Sequence, residues 1–343
     1  MEIQNRSKFK LFSRKKNGFE CFRLEKNIEK QILERLNMQE ATLEYVSSRG
    51  ILKSCDWFSL NPQSSIRFML DYPPFPSFST IPVIYICSSS IPYFKENVLS
   101  ALKIPFILVG GDCDETIPND IFRNEAEFIH FVENPFLIHW FSQNLVRKHS
   151  KMTKIPIGMD YHTMTSSTQW GPVTPPYEQE SLIKTVKNAS LPFWERTLKC
   201  YANFHFLMTT KHGYDRKDAV KMVDKTLVFY EPTHIPREDT WKAQSEYAFV
   251  ICPHGGGYDC HRLWEALILG CIPIVKKSNI DELYQDLPVL IVEQWENITE
   301  DLLKATIAAF RERKDSFAYE KLTLKYWMDK IRTFSVLRVP TGI

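Results

Sequence analysis

The residue types best suited to chemistry are concentrated in the segment AFVICPHGGGYDCHRLWEALILGCIPIV, residues 248–275. A buried strand is predicted to end at Cys252 and Pro253. His254 follows, the triplet Gly255, Gly256, Gly257 lets the backbone turn, and a helix is expected from about Tyr258 with Asp259 as its cap. Unpaired amides at such a helix start, together with the helix dipole, favour an anion, and a diphosphate is the commonest biological anion held in this way. His261 and Arg262 stand four and three residues before Glu265, so all three share the N-terminal half of the helix. Arg262 can offer planar donors to a phosphate and Glu265 can accept from a pair of sugar hydroxyls, which together suit a nucleotide. The competing reading is an Arg262–Glu265 ion pair beside a core His261. The GxGxxG fingerprint is absent, with His261 where a third glycine would stand, and this disfavours a nicotinamide-dependent dehydrogenase.

A second basic cluster lies in TTKHGYDRKDAV (209–220), where a strand is expected to end at Thr209 and Thr210 and Arg216 begins the next helix. Thr210, Lys211 and Arg216 could clamp the same diphosphate, against a reading of them as solvated loop residues.

Arg262, Glu265, Ala266, Leu267, Gly270, Ile272, Pro273 and Ile274 match the pattern R-x-x-E-A-L-x-x-G-x-I-P-[IV]. In this the chain resembles the exostosin-like glycosyltransferases. SNIDELYQDLPVLIVEQWENITEDLL (278–303) extends the similarity to about 100 residues, and GGDCDETIPND (110–120) and PIGMDYH (156–162) add a weaker match in the first half. The resemblance implies an α/β protein of the GT-B type, two Rossmann-like domains with parallel sheets facing across a cleft. It further implies inverting, metal-independent transfer of a sugar from a nucleoside diphosphate donor, usually uridine diphosphate, to a glycan hydroxyl, with Glu265 on the ribose and Arg262 on the diphosphate. The loop pattern is also similar to that of fucosyltransferases, which keeps guanosine diphosphate open.

Inversion needs a base to take the acceptor hydroxyl's proton. Asp112 or Asp114 in GGDCDET is the first choice and Asp160 the second, although Asp in such loops is often a turn former. Departing diphosphate charge would fall to the cations, since no metal is expected. Two rival readings remain: Asp112 and Asp114 as a metal-binding DxD, and a nucleotide-sugar-binding protein without a working base. Pro273 stands eight residues beyond Glu265, where many retaining enzymes place a second glutamate. His139 and Trp140 could meet an acceptor sugar but read more readily as core.

The elements that must position these groups alternate. IPVIYIC, PFILVGG, FIHFVE and KIPIG are predicted strands, with PYFKENVLSALK and NPFLIHWFSQNLVRK as helices. EKNIEKQILERLNMQEATLEYVSSRG (25–50) is expected to be helical, and GPVTPPYEQES (171–181) marks a boundary. Beyond it NFHFLMTT, LVFYEP, AFVICP, CIPIVKK and LPVLIVE read as strands, and KDAVKMVDK, REDTWKAQSEY, YDCHRLWEALILG and NIDELYQD as helices. The division expected is an acceptor-side domain over 1–180, a nucleotide-sugar domain over 181–315, and a final helix within 316–343 packing back on the first domain.

At 343 residues, 44% hydrophobic and 24% charged, the chain is a folded globular protein. Its 43 Lys and Arg against 41 Asp and Glu leave +2, too balanced for non-specific nucleic-acid binding. Eight scattered cysteines without a CxxC pair read as reduced core residues. No apolar run suits a transmembrane anchor, so a cytoplasmic location is expected, with weak membrane-surface contact through the six cations of RSKFKLFSRKK as the lesser reading.

Overall fold

The computed structural model describes residues 38–335. The basic segment 6–16, Cys21 and the first half of the expected helix at 25–50 lie outside them. Of that helix's described part, Gln39–Thr42 is a 3-10 turn, Tyr45 and Ser47 form isolated bridges, and only α1 (Ser48–Lys53) is α-helical, capped by the Ser47 hydroxyl.

The first sheet runs β1 (Val83–Cys87), β2 (Phe106–Gly111), β3 (Leu137–Ser142) and β4 (Met152–Lys154), all parallel and in chain order. Its crossovers include α2 (Ile91–Asn97) and α3 (Glu125–Val132). After β4 come α4 (Tyr161–Ser166) and α5 (Pro176–Ala189). The second sheet holds β5 (Thr197–Ala202), β6 (Val228–Tyr230), β7 (Tyr247–Ile251), β8 (Ile272–Lys276) and β9 (Leu290–Val292). Their order is β6-β5-β7-β8-β9, again all parallel. Helices α6 (Tyr214–Met222), α7 (Arg237–Gln244), α8 (His261–Ile268) and α9 (Glu300–Glu312) accompany it, and α10 (Leu324–Arg332) closes the described chain. The fold is therefore α/β with two parallel sheets, compatible with paired Rossmann-like units.

Several expected elements are corrected. FIHFVE lies in α3, because Asn124 accepts from the Glu127 amide and Phe128, Phe131 and Val132 bury one helical stripe. NPFLIHWFSQNLVRK contains β3 instead of a helix. This strand is paired on both edges and almost wholly buried, so its apolar run lacks the alternation that marks a half-exposed strand. β4 ends at Lys154, leaving most of KIPIG in a loop, and NFHFLMTT follows β5 as a loop. NIDELYQD supplies only a 3-10 turn, and the last helix starts at Leu324 after a separate 3-10 turn, Tyr319–Leu322.

The core has three clusters. One fills the outer side of the first sheet around Phe94, Phe128 and Trp140, and another lies under the second sheet around Phe249 and Trp295. The third runs from Tyr85 and Phe141 through Trp241 and Trp264 to Leu324 and Trp327, joining both sheets and α10. Glu180 of α5 ties this seam, accepting from the Glu44 and Tyr45 amides and the Tyr161 hydroxyl. Arg332 of α10 bonds Asp56 at 2.6 Å. The described cysteines are all free, and all but Cys260 are buried.

His139 shows what the seam costs in acid. Its ring stacks on Phe334 at 4.2 Å and bonds the Thr153 hydroxyl. Burial, then the charges of Lys330 and His149, hold it down to about 4. The unfolded chain takes up this proton near pH 6.5 and the folded chain only near 4, so stability falls as pH drops across that window. Thermal unfolding of His139→Phe should therefore show a shallower loss between pH 6.5 and 4 than the parent; parallel pH profiles would remove His139 from the acid response.

Candidate functional site

The chain leaves β5, forms the edge strand β6, then crosses back to β7. At such a reversal adjacent loops diverge and leave a crevice at the carboxyl ends of the strands. A cavity of about 270 Å³ occupies that place. Asn203 and Phe204 follow β5, Gly256 and Cys260 follow β7, and α8 contributes His261, Arg262 and Glu265. Asp114, Ile157 and Asp160, from the loops after β2 and β4, close the other wall.

The glycine loop is shaped by close packing. A Cβ on Gly256 would lie 1.9 Å from Asp114 Oδ2, and one on Gly257 would lie 2.7 Å from Asn144 Nδ2. Asn144 braces both loops, donating to the Cys113 carbonyl and accepting from the Asp259 amide. The loop's amides are thus largely engaged by protein, since Gly255 also donates to the Gly257 carbonyl and His254 to Asp215. Asp215 in turn accepts from the Trp295 indole and pairs with Lys276. The helix starts at His261, with Cys260 at the cap position and no side-chain cap bond. Asp259 is not the cap: its buried carboxylate accepts from the Ile157 amide at 2.7 Å and the Trp264 indole, and burial pushes it up to about 6 against those bonds.

The ion pair Arg262–Glu265 does not form. Arg262 donates Nε–H to the Asn203 carbonyl at 3.1 Å and lies over the Phe204 ring, while its Nη1 has no hydrogen-bond partner among the described residues. Glu265 accepts from the Trp241 indole through Oε2 at 3.0 Å, and its buried Oε1 has no hydrogen bond among the described residues and lies 3.8 Å from Arg237 Nη1. Arg237 bonds both the carboxylate and the carbonyl of Asp160, at 2.8 and 2.6 Å. One buried guanidinium therefore sits between carboxylates from the two walls.

Arg216 donates to the His254 and His205 carbonyls and to the Cys260 thiol, and has no carboxylate within ion-pair distance among the described residues. Burial, and next the charge of Arg262, lowers its pKa. His205 is lowered by burial and then by both arginines. The cavity thus has one end where two arginines lack a carboxylate partner among the described residues and another where Arg237 sits between the carboxylates of Asp160 and Glu265.

The three base candidates separate. Asp114 lines the cavity, and burial raises its carboxyl despite the charges of His261 and Arg216. Burial also acts to raise Asp160, but His261, Arg237 and His162 outweigh it and hold that carboxyl far below the ordinary range. Asp160 caps α4 instead, accepting from the Thr163 amide. Asp112 pairs with Arg49 at 3.0 Å, accepts from Ser64 and lies outside the cavity lining. Asp112 and Asp114 consequently do not present a paired DxD surface. No group of three His, Cys, Asp or Glu side chains that could hold a metal ion occurs among the described residues.

Other expected donor contacts also lie outside the lining. Thr210 donates to the Gly255 carbonyl, Lys211 pairs with Asp120 at 2.6 Å, and His254 is held by the Tyr258 carbonyl and faces its ring. Gly255, Gly257 and Tyr258 shape the loop without reaching the cavity. His261 does line it, its Nδ1 bonded to the Gly158 carbonyl at 2.7 Å. Sequence reasoning missed Arg237, Trp241 and Asn203. Only the Arg-Glu-Asp start of REDTWKAQSEY offered a signal, and it reads as an ordinary helix terminus.

Neither a protein-family model nor a curated protein sequence matches this chain. No helix among the described residues is long and apolar enough to cross a membrane.

The charge arrangement yields a direct test. Arg237→Ala leaves Asp160 and Glu265 buried without their cation and should cost roughly 3–5 kcal/mol in denaturant unfolding. The triple replacement Arg237→Met, Asp160→Asn, Glu265→Gln should recover most of that loss, and failure to recover would show that Arg237 acts by packing alone.

Proposed function

We propose that this protein is an inverting glycosyltransferase of the exostosin-like kind, with a GT-B arrangement. It would move a sugar from a nucleoside diphosphate, uridine diphosphate by preference, to a glycan hydroxyl without a resident metal. The observation that carries the reading is a cavity at the strand reversal whose Arg262 Nη1 and Glu265 Oε1 have no hydrogen-bond partner among the described residues. Buried polar atoms are ordinarily paired, so an unpaired donor and acceptor on two residues that line one crevice call for a ligand offering both.

In this reading the diphosphate lies at the cationic end. Arg262 and Arg216 supply charge-assisted hydrogen bonds there and relieve their mutual repulsion. Glu265 Oε1 accepts from a ribose hydroxyl while the Trp241 indole fixes the carboxylate's orientation. Asp114 takes the acceptor hydroxyl's proton as that oxygen bonds the anomeric carbon and the carbon–phosphate oxygen bond breaks. Negative charge growing on the leaving diphosphate is met by the two arginines, already in place before the reaction. A raised Asp114 pKa brings base and hydroxyl closer in proton affinity, and requires turnover to rise with pH through that pKa.

Two variants separate the roles. Glu265→Gln should weaken binding of uridine diphosphate, measured by calorimetry, by about tenfold with the fold intact. Asp114→Asn should keep donor affinity while transfer to a glycan acceptor falls about 10²–10⁴-fold. Donor binding without nucleotide release in the parent protein would identify a nucleotide-sugar-binding protein instead. Unchanged donor affinity in Glu265→Gln would contradict the site.

A further inference from the structure

A second cavity, of about 570 Å³, lies where the loop before β4, the 3-10 turn after β8 and helix α10 meet. Its wall carries Arg147, Lys148, Lys154, Lys321 and Lys330, and Glu282 is its single carboxylate. The whole chain has a formal charge of only +2, so this concentration is a local feature and not a reflection of composition. Like charges gathered in a recess repel, and the cost is met only where opposite charge is supplied.

Protein supplies little of it. Lys154 pairs with Glu282 at 2.9 Å and Lys148 shares the same carboxylate at 4.0 Å. The Lys154 hydrogen bond leads the forces that lower the Glu282 pKa, followed, after opposing burial, by the charges of Lys154, Lys148 and Lys330. Three amines therefore converge on one anion. Lys330 has no ion-pair partner among the described residues and rests over the Trp327 ring at 5.4 Å. Burial and the charge of Lys321 lower its pKa, with only Glu282 opposing. Arg147 is paired with Glu125, which lies off this wall. Lys321 reaches Asp286 at 3.8 Å, also off the wall, and donates to the Gln285 carbonyl at 2.5 Å.

The geometry points to a binding site for a compact, multiply charged oxyanion of the oligophosphate class, separate from the cavity at the strand reversal. Several amines on one concave wall match an ion carrying several charges within a few bond lengths, whereas a single carboxylate would leave most of them unpaired. Because the lining comes from both halves of the chain and from α10, an occupant bridges segments that are tied here through Glu282 to Lys148 and Lys154 and through Lys321 to Asp286 and the Gln285 carbonyl.

Inorganic tripolyphosphate is the probe, titrated into the full chain at moderate salt and read by lysine acetylation resolved by residue with mass spectrometry. Lys148, Lys154, Lys321 and Lys330 should become protected along one saturable curve, while Lys211, paired with Asp120 elsewhere, should not follow it. Lys148→Glu with Lys330→Glu, both on exposed stems, should shift protection of Lys154 and Lys321 to at least about tenfold higher concentration. Glu282→Gln should shift it severalfold lower, a gain that a merely damaged fold would not give. The site is refuted by absent protection, by equal protection of lysines across the surface, by an unmoved curve in Glu282→Gln, or by protection appearing only with vesicles of anionic lipid.

Discussion

A guanidinium buried between two carboxylates organises the centre of this protein. Arg237 bonds Asp160, which caps the helix after the first sheet, and stands 3.8 Å from Glu265 on the helix after β7. Isolated, each of these charges would be expensive to bury; Arg237 offsets part of the two carboxylates' charge and fixes the spacing of the two cavity walls. The Asp160 carboxylate is fully committed to this task, with Arg237 on one oxygen and the Thr163 amide on the other. Glu265 is not, because Trp241 takes one of its oxygens and the other has no hydrogen-bond partner among the described residues.

That incompleteness gains meaning from where it lies. The order β6-β5-β7 opens a crevice between β5 and β7, and the loops after these strands carry Asn203 and the glycine triplet. Small residues in the triplet let Asp114 and Asn144 approach the β7 loop closely, so the first half of the chain reaches the crevice without prising the loop open. Arg216 and Arg262 have no carboxylate ion-pair partner among the described residues and repel one another, giving the crevice a field that a diphosphate would relieve. Absence of a matching family model leaves the glycosyltransferase reading resting on this chemistry and on the motif of α8.

Sequence alone made β1, β2, β7 and β8 legible, since each is a short apolar run bounded by turn residues, and it made α8 legible through its apolar face and the Arg262–Glu265 spacing. It failed at β3, where burial on both faces removes the period-two signal, and at α3, where an aromatic-rich stretch hid an Asn cap. Of the residues lining the cavity, Arg262, Glu265 and Asp114 could be singled out in the sequence because local spacing or a loop position exposes them. Arg237 was not, because its partners are 77 residues earlier and 28 later in the chain and no local pattern encodes such a contact. Asp112 and Asp160 were indistinguishable from Asp114 by type; only their engagement by Arg49 and Arg237 separates them.

The most direct measurement is a crystal structure of the protein with uridine diphosphate. The account predicts a diphosphate within hydrogen-bond distance of Arg216 and Arg262 and a ribose hydroxyl on Glu265 Oε1, with Asp114 facing the terminal phosphate. A nucleotide lodged elsewhere, or a Glu265 whose second oxygen has closed onto Arg237 with the crevice empty, would contradict it.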